Sequence, residues 1–247
     1  VNAAPDDQLR LLDVQALDST VDRLTHRRAT LPELEAINAT VARQDEVDAD
    51  IVRAETEDSD LGREQTRVDA DVELVRARME RDQGRLDAGQ VASPRELESL
   101  QSEIESLRRR QSDLEDAELE VMEQREGVQA RLDGLRAERE KLVTDLTAAE
   151  QARDQAWTEI DTELAQASTD RAALTSALPA VLLELYEKLR ASSAGVGAAA
   201  LHRGRCEGCH LQLNTVDLNR LRDAPDDEVL RCEECRRILV RTPESGL

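Results

Sequence analysis

The chain has no phenylalanine, one tryptophan (Trp157), one tyrosine (Tyr186) and only two lysines, Lys141 and Lys188, in 247 residues. Without aromatic anchors it cannot build the thick core of an ordinary globular domain. Glycine and proline are scarce as well, ten and six, and the long stretches that hold neither favour extended helix. A Ser/His/Asp set, a glycine-rich phosphate loop and an open metal site are all missing, which argues against an enzyme. No secretory signal is recognisable. The expectation is a cytoplasmic protein with no membrane and no small-molecule substrate among its partners.

What the chain does have is charge and periodicity. Charged residues make up 35% of it, with a formal net charge of −21. Such a composition would suit a disordered chain, but the apolar residues recur too regularly for that. Leu100, Leu107, Leu114, Val121, Val128, Leu135, Leu142, Ala149 and Ala156 follow one another at intervals of seven. Leu97, Ile104, Leu132, Leu146 and Ile160 fall on the accompanying half-heptad positions, shared with Gln111, Glu118, Arg125, Arg139 and Arg153. Earlier in the chain, Val47, Ala54, Leu61, Val68 and Val75 form a matching series, with Ile51, Asp58, Gln65, Val72, Met79 and Leu86 between them. Both segments read as coiled-coil strands with a thin seam.

The segment between them is a turn. Gly89 can leave a helix at positive φ, Ser93 suits an N-cap, Pro94 suits the first helical position, and Glu96 completes a capping box. An antiparallel hairpin follows, with facing residue numbers summing to about 180 by the loop midpoint. The heptads suggest a sum of 179: Val75 with Ile104, Val72 with Leu107, Ala54 with Arg125, Val47 with Leu132. Polar seam members in the middle third lower stability and help to set register, or else mark a partner-binding stretch.

Upstream, Leu11, Val14, Leu17, Val21 and Leu24 form a helical stripe, and Thr30-Leu31-Pro32-Glu33 reads as a restart with Thr30 as N-cap. The expected organisation is mainly α: a long antiparallel coiled-coil hairpin over residues 1–190 and a small zinc-ribbon domain. Within it lie a short helix at about 7–28, an arm at about 31–86, a tip at about 87–93 and an arm at about 94–190. The apolar run Val181 to Leu189 should dock on the ribbon or on another protein. Residues 191–247 form a linker and the ribbon.

The only four cysteines make two CxxC pairs, Cys206/Cys209 and Cys232/Cys235, separated by 22 residues. Two such knuckles supply the tetrahedral sulfur set that zinc favours in structural sites. One structural Zn2+ bound by Cys206, Cys209, Cys232 and Cys235 is expected. A shell of four thiolates is closed, so His202 and His210 are read as flanking residues. Strand character is expected over Cys209 to Leu213 and Arg237 to Arg241, and a short helix from Asn214 to about Arg222.

Residues 201–247 hold eight arginines against nine acidic residues, so the excess negative charge lies on the helical arms. Acidic arms repel phosphate backbones. Nucleic acid could be met only locally, through Arg203, Arg205, Arg236, Arg237 and Arg241, which otherwise simply solvate a small domain.

A long hairpin ending in Cys206-Glu207-Gly208-Cys209-His210 and Cys232-Glu233-Glu234-Cys235-Arg236-Arg237-Ile238-Leu239, with the tip Ser93-Pro94-Arg95-Glu96-Leu97, resembles a bacterial family. Its members are coiled-coil hairpin proteins with a C-terminal four-cysteine zinc ribbon, largely uncharacterised. In that family glycine commonly follows the last cysteine and an aromatic often ends the exit strand; here these are Arg236 and Val240. The resemblance implies an adaptor that binds other proteins, including transcription or secretion components, and in some members RNA. Two readings from other classes stand beside it. One is a transcription-associated regulator similar to the coiled-coil proteins that insert an acidic tip into RNA polymerase, with Asp82 and Asp87 as the acidic residues. The other is direct RNA or DNA binding by the ribbon.

Overall fold

The computed structural model describes residues 1–247, three quarters of them helical. The order is α1 (Pro5–Ala29), α2 (Pro32–Asp87), α3 (Pro94–Ser176), α4 (Ala180–Ser192), β1 (Ala198–His202), β2 (Arg205–Cys206), α5 (Thr215–Asp223) and β3 (Ile238–Val240). Each break has a local cause. α1 starts on a proline with Asp6 and Asp7 in its first turn and ends on His26, Arg27 and Arg28, which suits the helix dipole at both ends. Thr30 closes α1 rather than opening α2: its hydroxyl donates to the His26 carbonyl at 2.8 Å. At the tip Gly89 takes φ +65°, and the Gln90 N–H closes back on the Arg85 carbonyl. Ser93 Oγ then accepts the Glu96 N–H, while Glu96 accepts from the Ala92 N–H. The second arm, expected to run unbroken to about 190, is two helices, because Pro179 has no N–H to continue the ladder.

The chain divides into two compact units, residues 36–149 and residues 1–35 with 150–247. The first is the antiparallel coiled coil of α2 and α3. The heptad positions read from sequence carry its core: Val47, Ala54, Val68 and Val72 are buried on α2, and Leu100, Ile104, Leu114, Val128 and Leu132 on α3. Their register, however, differs from the expected one. Ala54 clusters with Leu132 and Val72 with Leu114, so facing numbers sum to 186 rather than 179, one heptad along. The cross-arm ion pairs straddle this value, with sums of 181 for Arg43 with Glu138 and Arg78 with Glu103, 187 for Arg139 with Asp48, and 191 for Arg136 with Glu55 and Arg76 with Glu115.

The physical reason is a degeneracy. A shift of seven residues leaves every seam residue in the seam. Between residues 47 and 86, both registers stack the same number of layers that are apolar on both sides. The polar members break the tie. In the observed register Arg125 reaches Asp58 at 3.0 Å and Gln65 at 3.1 Å, and Gln129 also donates to Asp58. The register of 179 would set Arg125 against Ala54. One layer stays unfavourable: Glu118 lies against Asp69, and burial followed by that neighbour raises its pKa.

The second unit holds the two largest buried apolar clusters. α1 and α4 lie in one core with the sheet, built from Leu11, Val14, Leu182, Tyr186, Ile238 and Val240. Leu182 and Tyr186 are fully buried and Val181 is 61% exposed. The run Val181 to Leu189 therefore buries its apolar face within the protein and leaves little of it for a partner. The sheet order is β2-β1-β3, with β1 antiparallel to β2 and parallel to β3. Asp18, only 2% exposed, receives Arg171 Nε and the Tyr186 hydroxyl, each at 2.6 Å. Gln15 accepts the Gly197 N–H at 2.7 Å and donates to the Gly195 carbonyl. These two polar residues lie on the apolar stripe of α1 and tie it to α4 and the entry to β1. Gly197 is required there, since a Cβ would lie 2.7 Å from the Tyr186 carbonyl oxygen.

Candidate metal centre

Two knuckles present the cysteines. In each, the residue after the second cysteine turns into the left-handed region, His210 at φ +62° and Arg236 at φ +64°, and its N–H returns to the carbonyl of the first cysteine. That conformation explains why glycine suits the position after the last cysteine; Arg236 adopts it at some conformational cost. N–H groups of the third and fourth knuckle residues point at the first sulfur, Gly208 and Cys209 at Cys206, Glu234 and Cys235 at Cys232.

The four Sγ atoms lie within 4.8 Å of one another, with Cys206–Cys235 and Cys209–Cys232 both at 3.9 Å. Tetrahedral zinc with bonds near 2.3 Å needs sulfurs about 3.8 Å apart. The donor set fits a structural Zn2+ ion. Burial pushes the Cys206 and Cys232 thiols up. At Cys235 burial is the largest single influence and acts in the same upward sense, but hydrogen bonds from the Arg237 backbone and side chain and from the Cys232 and Cys209 thiols together outweigh it and hold the thiol at about 7. Buried thiols deprotonate together only when a cation offsets the desolvation, which is what zinc would supply.

Arg237 is the clamp of this centre. Its guanidinium donates to the carbonyls of Val196, Gly208 and Ser193, each at 3.0 Å. Gly208 lets it approach: a Cβ there would fall 2.9 Å from both Arg237 Cδ and Ala199 Cβ. Arg241 acts likewise at the far end of β3, donating to the carbonyls of Leu221, Ala224 and Pro225. Neither is a free surface cation, so two of the five arginines expected to face a partner are internal ties. Arg203, Arg205 and Arg236 are exposed, with Arg205 on Glu207 and Arg236 on Glu233. His202 and His210 lie outside the thiolate cluster, near Glu244 and Glu207.

The sequence reading missed Arg220 and Arg231. With Asp223, Glu228, Glu233 and Arg236 they line an open groove of about 570 Å³, together with Ala224, Val229 and Leu230. Asn214 caps α5 as expected, its Oδ1 accepting the Asp217 N–H. The strand expected at Cys209–Leu213 is reduced to one bridge, Arg205 to Gln212, because the knuckle turns through it. No helix is long and apolar enough to cross a membrane.

Comparison with known proteins agrees with this geometry. Residues 14–194 match the CT398-like coiled coil hairpin domain, and residues 205–239 match the C4-type zinc ribbon domain. An uncharacterized protein of Mycobacterium tuberculosis is 36% identical over 234 residues, covering 95% of each chain. An uncharacterized protein of Mycobacterium leprae is 29% identical over 230 residues, covering 93% of this chain and 94% of the other. A solved structure from Mycobacterium smegmatis superposes with a TM-score of 0.83 at 34% identity, over 98% of this chain and 100% of the other. CT398 from Chlamydia trachomatis shares the fold, with a TM-score of 0.71 at 19% identity over 96% and 98% of the two chains.

Proposed function

Because the chain belongs to the CT398-like coiled-coil hairpin family, we propose that it is a non-enzymatic, zinc-binding adaptor that holds protein partners on its ribbon and its coiled coil. The observation that carries this reading is the metal centre. Four thiolates complete a tetrahedral shell and leave no position for water or substrate, so zinc there maintains a surface. That surface offers exposed Leu211 and Val216 and a groove lined by three arginines, three carboxylates and the apolar side chains of Ala224, Val229 and Leu230. Such a lining suits a polypeptide of mixed charge better than a small apolar ligand.

The test is affinity purification from the native host with the tagged chain and with a Cys232→Ser/Cys235→Ser variant. A defined set of proteins is expected with the first, and loss of the ribbon-dependent members with the second. Recovery of nothing above a tag-only control by either chain overturns the adaptor reading.

A second reading, transcription-associated regulation or direct RNA or DNA binding through the ribbon, is favoured by the convergence of Arg220, Arg231 and Arg236 on one groove. Three carboxylates in the same groove count against it. So does the tip, where Asp82 turns into the seam with only 14% of its side chain exposed, so the two acidic residues are not presented together. Phosphate contacts would make binding fall steeply with salt. Tight, salt-sensitive RNA binding removed by Arg220→Ala/Arg231→Ala/Arg236→Ala would bring this reading forward.

A further inference from the structure

The hairpin unit, residues 36–149, contains sixteen arginines, and eleven of them are ion-paired within it. The five without a carboxylate partner are Arg81, Arg95, Arg108, Arg109 and Arg110. All are exposed, and all fall within the thirty residues around the tip. The charge pattern changes in the same place. Residues 78–112 carry seven basic and seven acidic side chains, whereas the rest of the unit carries ten basic and twenty-three acidic. A groove of about 320 Å³ opens beside one of these arginines, Arg108; its lining also includes Met79, Gln83 and Gly84, and the carboxylates Glu80 and Asp87, so the carboxylates of a ligand must lie on the outer, arginine side. A side chain built on Gly84 would touch nothing, so that part of the lining is open, and Met79 gives it an adaptable apolar surface.

We propose that this surface docks a short, carboxylate-rich segment of a partner protein, with an aliphatic side chain of that segment on Met79 and its carboxylates on Arg108, Arg109 and Arg110. Successive residues turn about 100° around a helix. The three guanidinium groups therefore spread over about 200° of α3, with Arg108 on the groove side and Arg110 on the opposite flank, and a segment must wrap the outer surface of the helix to meet all three. Arginine suits this task because its planar fork matches a carboxylate in two parallel hydrogen bonds. Single-stranded nucleic acid fits less well. It binds on aromatic platforms, and residues 36–149 contain no Phe, Tyr or Trp. A second copy of the chain fits less well too, since two molecules at −21 repel and the acidic charge must be confined to a short segment.

This inference rests on the adaptor reading and assigns it one surface and one partner chemistry. The test uses the purified, zinc-loaded full chain and two dye-labelled probes of similar charge, a 20-residue Glu-rich peptide containing leucines and a 20-nucleotide single-stranded RNA. Fluorescence anisotropy at low salt should show peptide binding that weakens about tenfold or more in Arg108→Ala/Arg109→Ala/Arg110→Ala. It should change less than about twofold in Arg131→Ala, which removes a paired arginine of the same hairpin. Sedimentation should show the same species for the wild type and the triple variant, and circular dichroism the same helicity.

Three results overturn the proposal: equal peptide binding by wild type and triple variant, including no binding by either; RNA bound more tightly than peptide and lost in the triple variant; or a dimer that the triple variant dissolves. If the peptide fails while the ribbon still captures partners from the host, the tip assignment falls and the adaptor reading stands.

Discussion

The two units of this chain specify their structures by different means. In the hairpin, residues 36–149, the buried apolar residues are few and strung out along a seam, interrupted by the half-buried Arg125, Glu118, Gln111, Asp58 and Asp82. In the unit that carries the ribbon, Leu11, Val14, Leu182, Tyr186, Ile238 and Val240 are fully buried in one cluster, and Leu201, Leu221 and Leu239 pack with the four cysteines in a second. Apolar layers repeated every seven residues hold two helices together but do not say which heptad faces which. A core of unlike shapes around a metal has one solution. Charge therefore does for the hairpin what packing and zinc do for the ribbon.

The sharpest way to break the comparison is to remove the metal. Structural zinc contributes on the order of 10 kcal/mol to small domains, more than a ribbon of this size holds from its own core. Cys232→Ser/Cys235→Ser should lose one bound zinc per chain by elemental analysis and expose residues 203–247 to proteolysis, while the hairpin keeps its helical circular dichroism. Full zinc retention by the double variant would contradict the assignment of the four ligands.

A smaller effect separates the buried and exposed faces of α4. Leu182→Ala opens a cavity among Leu11, Tyr186 and the sheet, and should cost about 2–5 kcal/mol in denaturant unfolding. Val181→Ala, one residue earlier on the exposed face, should change stability by less than about 0.5 kcal/mol. Equal effects would mean that α4 does not bury the face described above.

The register can be tested chemically with little loss of stability. In zinc-loaded protein, whose native thiolates are held by the ion, Val72→Cys/Leu114→Cys should crosslink within one chain and Val72→Cys/Leu107→Cys should not. The reverse result would restore the register of 179 and remove the role assigned to Arg125.

The smallest expected effect belongs to Glu118. Burial first, then Asp69, raises its pKa, so the folded hairpin holds this proton at a pH where the unfolded chain, with a carboxyl near about 4.3, has released it. Stability from this group therefore rises as pH falls from neutral through the raised value, and is absent at neutral pH. Glu118→Gln should raise the thermal midpoint slightly at pH 7, with the gain shrinking toward pH 4. Asp58 has the opposite sign. The hydrogen bond from Arg125 lowers its pKa, so its contribution is present above the ordinary carboxylate range and lost as pH falls through the lowered value. A Glu118→Gln gain that does not depend on pH would show that the like-charge contact is not its source.

Much of this was legible in the residues. The helices, the tip at Gly89 and Ser93, the cap at Asn214 and the thiolate set follow from local rules: heptad spacing, φ preference, capping geometry and the reach of a CxxC knuckle. The residues around the thiolates were less legible. Arg237 and Arg241 look in sequence like surface cations, and their use as internal clamps depends on carbonyls brought close by folding. Arg220 and Arg231 carry no motif at all, and only the folding of α5 and the second knuckle sets them on one groove.

The sequence by itself determined which residues of each helix enter a seam, where the chain turns and which four sulfurs can share an ion, because each depends on neighbours within a few turns or a single knuckle. Tertiary structure alone decided the register, through Arg125 and its partners on the other arm, since a heptad repeat is unchanged by a shift of seven. It also decided that Gln15 and Asp18 are buried on α1 and that Tyr186 meets them. A polar residue on a helical stripe reads as solvated until a distant donor, here Arg171 or the Tyr186 hydroxyl, arrives to replace the water it gives up.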